Sequence, residues 1–197
     1  MKRYIVIFHE KEDYELIERL GGSIIDPVHN IDTLLIADLP QHTLEALSHE
    51  DCIKEIEEDS EREIQAVAHY AHSDKKSSFG YYVPRLKLND YWDRGINGAG
   101  IKVLITDSGC AVHDNLEVVD GKSFYDTSVD YTRDNNGHGT HVAGLIASKS
   151  VGNGGFVGSA SGVDLYIAKV SSTTEGATGL FTSAIARALN YAIANKI

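Results

Sequence analysis

"IKVLITDSG", residues 101–109, is a near-continuous apolar run that ends in an acid, Asp107, followed at once by a glycine-containing turn. An apolar run of this length fits a strand covered on both faces, as strands of parallel sheets are. Upstream, "NDYWDRGINGAG" (89–100) reads as a helix start followed by a Gly-rich turn. Downstream, "HVAGLIAS" (141–148) has the character of a buried helix and "VDLYIAKV" (163–170) of a second buried strand. "TSAIARALNYAIANK" (182–196) is a long amphipathic helix with Thr182 or Ser183 as its expected N-cap. Strand and helix alternate, so this part of the chain is expected to be α/β.

The first third follows a different plan. "RYIVIFH" reads as a strand, "EDYELIERL" as a short helix ending at Gly21-Gly22, and "SIIDPV" and "DTLLIADL" as two strands. "QHTLEALSHE" has helical spacing and "CIKEIEED" alternates as a strand does. The resulting β-α-β-β-α-β order is the ferredoxin-like arrangement. A unit this small buries only a marginal core. From "REIQAVAHYAHSDKKSSFGYYVPRLKL" (62–88) periodicity fades. The expected organisation is a small α+β unit over 1–70, a linker over 71–88 and an α/β unit over 89–197.

Charge separates the two units. Residues 1–70 carry 17 acidic and 6 basic side chains, whereas 71–197 carry 12 of each, so the whole net charge of −11 lies in the first unit. That balance argues against a nucleic-acid partner. Cys52 and Cys110 fall in different units without metal-type spacing, and buried free thiols are the expected state. The apolar run of "MKRYIVIFHE" is too short for a signal-peptide core, and no stretch is long enough to span a membrane, so a cytoplasmic protein is expected, with export or packaging in a larger particle left open.

In open parallel sheets, functional groups gather beyond the carboxyl ends of the strands. Asp107 occupies such an end, and His138 stands between two glycines in "NNGHGTHVAGLIAS" (135–148), just before a helix. An Asp in that position can orient a His, fix its tautomer and stabilise the imidazolium that forms when the ring takes a proton. Two other readings remain: a capped helix start with one packed histidine, or a metal pair made by His138 and His141. Zinc needs a third ligand, for which His113 or Asp134 are available, but H-E-x-x-H spacing is missing.

"VLITDSG" followed by "NNGHGTHVAG" resembles the first two catalytic motifs of the subtilisin-like serine peptidases. "GFVGSASGVDLYIAKV" (155–170) is similar to a further stretch of that family. The acidic unit, ending "IKEIEEDSEREIQAVAHYAH" (53–72), resembles the propeptide that chaperones and inhibits these enzymes. The resemblance implies a partial parallel-sheet α/β catalytic domain behind a small ferredoxin-like propeptide, made as a zymogen. It makes Asp107 the orienting acid, His138 the general base and His141 a buried structural residue. The family's nucleophile sits in a motif like G-T-S-M-A, preceded by an oxyanion-hole asparagine. Neither occurs in residues 1–197, and Ser183 in "LFTSAIARAL" lacks the flanking glycine.

Further roles follow from the same resemblance. "EGATG" (175–179) places Gly176, Ala177, Thr178 and Gly179 on an edge that pairs with the backbone of a peptide or protein substrate. "KSVGNGGFVG" (149–158) corresponds to a loop that wraps a structural calcium, with Asn153 as a ligand. Asn115 in "HDNL" stands where the family has an Asp ligand, which weakens that site. "AVAHYAH" (66–72) resembles the propeptide junction, placing the cut near Tyr70. The implied partners are a protein or peptide substrate, the chain's own propeptide and a serine-bearing C-terminal half of the catalytic domain, with no nucleic acid and no membrane. The competing reading is a non-catalytic binding or assembly protein that retains this scaffold.

Overall fold

A computed structural model of the chain describes residues 1–10, 14–31, 33–63, 82–149, 156–172 and 179–197. They fall into two compact units, Met1–Arg62 with Phe181–Lys196, and Glu63–Leu180 with Ile197.

The first unit realises the β-α-β-β-α-β order: β1 (Lys2–Phe8), α1 (Glu15–Arg19), β2 (Ser23–Asp26), β3 (Leu34–Leu39), α2 (Gln41–Leu47) and β4 (Ile53–Glu58), followed by the short β5 (Glu61–Glu63). The strands pair antiparallel in the order β2-β3-β1-β4. Alternation decides which side chains go inside, because successive strand residues point to opposite faces. Tyr4, Val6 and Phe8 of β1 join Leu35, Ala37 and Leu39 of β3, under Ile17 of α1 and Leu47 of α2.

The long amphipathic helix α6 (Thr182–Asn195) packs with this first unit. Its N-cap is Phe181, not Thr182 or Ser183, and no side chain of its own caps it. Asp59 takes that part, accepting the Ser183 N–H at 2.9 Å, a carboxylate where the helix dipole favours one. Arg187 pairs with Asp26 at 3.0 Å, and Asn190 accepts from Asn30 at 2.8 Å.

The second unit holds α3 (Tyr82–Arg85), α4 (Leu88–Trp92), β6 (Lys102–Asp107), β7 (Val118–Ser123), α5 (His138–Ala147), β8 (Asp164–Lys169) and β9 (Gly179–Phe181), whose last residue groups with the first unit. Strands β6, β8 and β7 form a parallel sheet in that order, with Asp107 and Ser123 both in register with Lys169. Three carboxyl ends therefore lie level. Ile105, Leu165 and Ile167 pack against Ala143 and Ala147 of α5, which fixes that helix over the sheet. Strand β7 is an element the sequence reading did not single out. "VVDGKS" carries the exposed Asp120 and Lys122 and a glycine, a weak strand signature.

Residues 71–81 of the expected linker lie outside the described residues, and its remainder is helical. Val83 of α3 is buried, the Tyr82 ring sits 5.4 Å from that of Phe156, and its hydroxyl donates to the Val157 carbonyl. The Trp92 indole N–H donates to the Ser159 carbonyl at 3.1 Å. Among the described residues no helix is long and apolar enough to cross a membrane.

Candidate active site

Asp107 is the last residue of β6 and His138 the first of α5. The sheet carries the acid and the helix start carries the base, so their meeting depends on how α5 begins. His138 Nδ1 lies 2.8 Å from both carboxylate oxygens of Asp107. The carboxylate is 11% exposed and the imidazole 23% exposed. An Asp on Nδ1 leaves Nε2 as the ring's outward nitrogen, the tautomer a general base needs.

Two glycines make this approach feasible. Gly137, the N-cap of α5, has φ 83, in the region that favours glycine. Gly139 lies so close to the turn after β6 that a Cβ there would stand 2.0 Å from the Gly109 carbonyl oxygen.

The first turn of α5 must satisfy its free N–H groups, and Gly137 has no side chain to offer. Neighbours do so instead. Asn136 accepts the His138 N–H at 3.2 Å, Ser108 Oγ the Gly139 N–H at 2.9 Å, and Asp134 Oδ2 the Thr140 N–H at 2.9 Å. Asp134 Oδ1 accepts the Ser108 hydroxyl at 2.7 Å and the Gly137 N–H at 2.8 Å. Burial opposes ionisation of Asp134, but the bonds from Thr140, Ser108 and Gly137 outweigh it and hold its carboxyl below the ordinary value. Lys169, at the end of β8, is fully buried and donates to the Ser108 carbonyl. Burial lowers its pKa, while Asp134 and Asp107 act in the opposite direction. Burial likewise pushes the Cys110 thiol up to about 11, leaving it protonated and unreactive.

Three of these participants escaped the sequence reading in these roles: Ser108, Asp134 and Lys169. A lysine inside the apolar run "LYIAKV" is the signal that was available, since an unpaired lysine is rarely buried.

The other sequence candidates are placed as follows. His141, implied to be buried, is exposed. It lines a largely apolar groove of about 530 Å³ with Leu116, Leu145 and Phe156. Among the described residues no group of three or more His, Cys, Asp or Glu side chains is placed to hold a metal ion. Asn115 borders the same groove, and its carbonyl accepts the Lys149 N–H at 2.7 Å. Alone, it is a neutral and incomplete donor set for calcium. Gly179 opens β9, buried, its carbonyl accepting the Ser172 N–H at 2.9 Å. Ser183 is buried in α6. Tyr70, Asn153, Gly176, Ala177 and Thr178 lie outside the described residues.

Comparison with known proteins identifies the family. The family model described as the subtilase family, Peptidase_S8, matches residues 98–197. The chain is 32% identical over 207 aligned positions to an alkaline protease of Alkalihalobacillus alcalophilus, covering 97% of this chain and 50% of that protein. It is 38% identical over 118 positions to the major intracellular serine protease of Bacillus subtilis (strain 168), covering 57% and 36%. Against Subtilisin Savinase of Lederbergia lenta it is 41% identical over 111 positions, covering 56% and 39%. The chain spans about half the length of the alkaline protease it matches. With its α/β parallel sheet, its Asp–His pair and these relatives, the chain belongs to the subtilase family of serine peptidases.

Proposed function

We propose that these residues are the propeptide and the first half of the catalytic domain of a subtilisin-type serine endopeptidase made as a zymogen. The observation that carries this reading is the 2.8 Å contact between His138 Nδ1 and Asp107. In the complete enzyme His138 takes the serine's proton as the hydroxyl attacks the scissile carbonyl, then returns it to the leaving amine. Asp107 holds the ring and stabilises the imidazolium. The serine and the oxyanion-hole asparagine come from polypeptide outside residues 1–197, where their motifs do not occur. Residues 1–197 alone are therefore expected to resist a serine-directed phosphonate. Together with the serine-bearing half they are expected to support labelling of that serine, which His138→Ala abolishes. Labelling of Ser183, or of any other serine within residues 1–197, would sink this assignment.

The substrate is a peptide or protein whose backbone adds to the edge formed by Gly176, Ala177, Thr178 and Gly179. The acidic unit is cut from the enzyme near Tyr70 and remains as its inhibitor. A mature protein whose N-terminal sequence begins at Met1 would contradict that cut. The proposed compartment is the cytoplasm, shared with the relative whose name marks it as intracellular. Neither nucleic acid nor membrane is a proposed partner.

Calcium is proposed as a weak structural ligand of the Asn153 loop. Binding to the native state alone raises the thermal midpoint by mass action. Given the neutral Asn115, a small rise in millimolar calcium is expected, and an identical midpoint with chelator would remove calcium from the account.

A further inference from the structure

We propose that Asp134 is the positioning residue of the acid–base pair, acting through Ser108 on the Asp107 side and through the first turn of α5 on the His138 side, with the buried Lys169 holding the Ser108 carbonyl. This inference rests on the proposed roles of Asp107 and His138.

Asp134 touches neither of them in the contacts described above, yet each is one residue from something it holds. On the sheet side, the Ser108 N–H donates to Asp107 Oδ1 at 2.6 Å, so the peptide joining the two residues sets the direction of the carboxylate. Ser108 itself is gripped from three directions. Lys169 Nζ donates to the Ser108 carbonyl, the Ser108 hydroxyl donates to Asp134 Oδ1 at 2.7 Å, and the same hydroxyl oxygen accepts the Gly139 N–H at 2.9 Å. On the helix side, Asp134 receives N–H groups from Gly137 and Thr140, which bracket His138 in sequence. It also accepts the Thr140 hydroxyl, whose oxygen in turn accepts the Ala111 N–H at 2.8 Å. One carboxylate thus ties the turn 108–111 to the turn 137–140, the two segments from which the pair projects.

The chemistry suits an ionised acid. Every described partner of Asp134 is a donor, so both of its oxygens must accept, which only a carboxylate does. An amide of the same shape would turn one NH2 toward a donor. Asp134 and Asp107 oppose the effect of burial on Lys169, and Arg133 adds to it. A functional pair has to be held to about 0.5 Å and 10–20°, a tolerance that supporting groups set.

The test is proton NMR on the intact 197-residue chain, with histidine labelled by 15N. In the parent protein His138 is expected to give a low-field, slowly exchanging Nδ1–H resonance, which Asp107→Asn removes. Asp134→Asn is expected to speed exchange of that proton about 10- to 100-fold, the factor expected on losing a hydrogen bond to a charged group. Ser108→Ala, which leaves the contacts of Asp134 to α5 in place, is expected to act in the same direction and decides the matter if Asp134→Asn does not fold. A folded variant that loses thermal stability but keeps the resonance and its exchange rate would reduce Asp134 to a structural residue and overturn the proposal. A parent protein without the resonance, or one in which Asp107→Asn leaves it unchanged, would instead defeat the Asp107–His138 pairing, and the proposed function with it.

Discussion

In the complete enzyme, replacing His138 by alanine should lower kcat on the order of 10⁶-fold with little change in KM, and Asp107→Asn should lower it less, about 10⁴-fold. The first magnitude is carried over from removal of the histidine in subtilisin, and the second from an Asp→Asn change in a Ser-His-Asp triad of another fold. The ordering follows from the geometry. In the proposed mechanism His138 would move the proton itself, whereas Asp107, 2.8 Å from Nδ1, would act only by fixing the ring and its tautomer. Asn in place of Asp107 still fills the space but can present an NH2 to Nδ1, which favours the wrong tautomer. If the two residues act as a unit, as proposed, the double variant should be no slower than His138→Ala alone. Multiplying losses, or an unchanged rate in either single variant, would show that the pair does not do the proton transfer. The measurement is steady-state kinetics on a peptide substrate.

The elements behind this expectation were legible in the sequence to different depths. Strand β6 was, because its apolar run is long and stops at an acid. The start of α5 was legible in part. Glycines around His138 mark a close approach, but sequence does not say that the helix lacks a cap of its own and borrows Asn136, Ser108 and Asp134 for the purpose. Those acceptors come from two separated turns, and no local spacing rule links residue 108 to residue 139. Strand β7 was missed because it carries exposed polar positions and a glycine. The burial of His141 was implied by resemblance rather than by pattern, and in the structure that side chain faces the groove. Amphipathicity identified α6, but its polar contacts to Asp26, Asn30 and Asp59 are encoded by no hydrophobic period.

Among the described glycines of the second unit, Gly139→Ala should be the most damaging change to alanine, costing about 3 kcal/mol or more. The added Cβ would stand 2.0 Å from the Gly109 carbonyl oxygen and 3.1 Å from Asp107 Cβ. The first obstacle is main chain, so no side-chain rotation relieves it. Nor can Gly109 yield easily. Its φ is 116, and on its other side an added Cβ would already be 2.6 Å from the Tyr131 carbonyl oxygen, whose hydrogen bond from the Cys110 N–H pins that turn. The helix and the sheet end must therefore separate, and the Asp107–His138 contact lies in the gap that opens. Gly144 supplies the control on the same helix. A Cβ there meets nothing within 4 Å, and alanine in a helix interior is favoured over glycine by about 0.5–1 kcal/mol. Gly144→Ala should accordingly raise the urea midpoint while Gly139→Ala lowers it sharply and weakens the His138 Nδ1–H resonance. Equal midpoints for the two variants would mean that the turn after β6 and the first turn of α5 are not in backbone contact. The close approach that brings acid and base together would then be lost as an explanation.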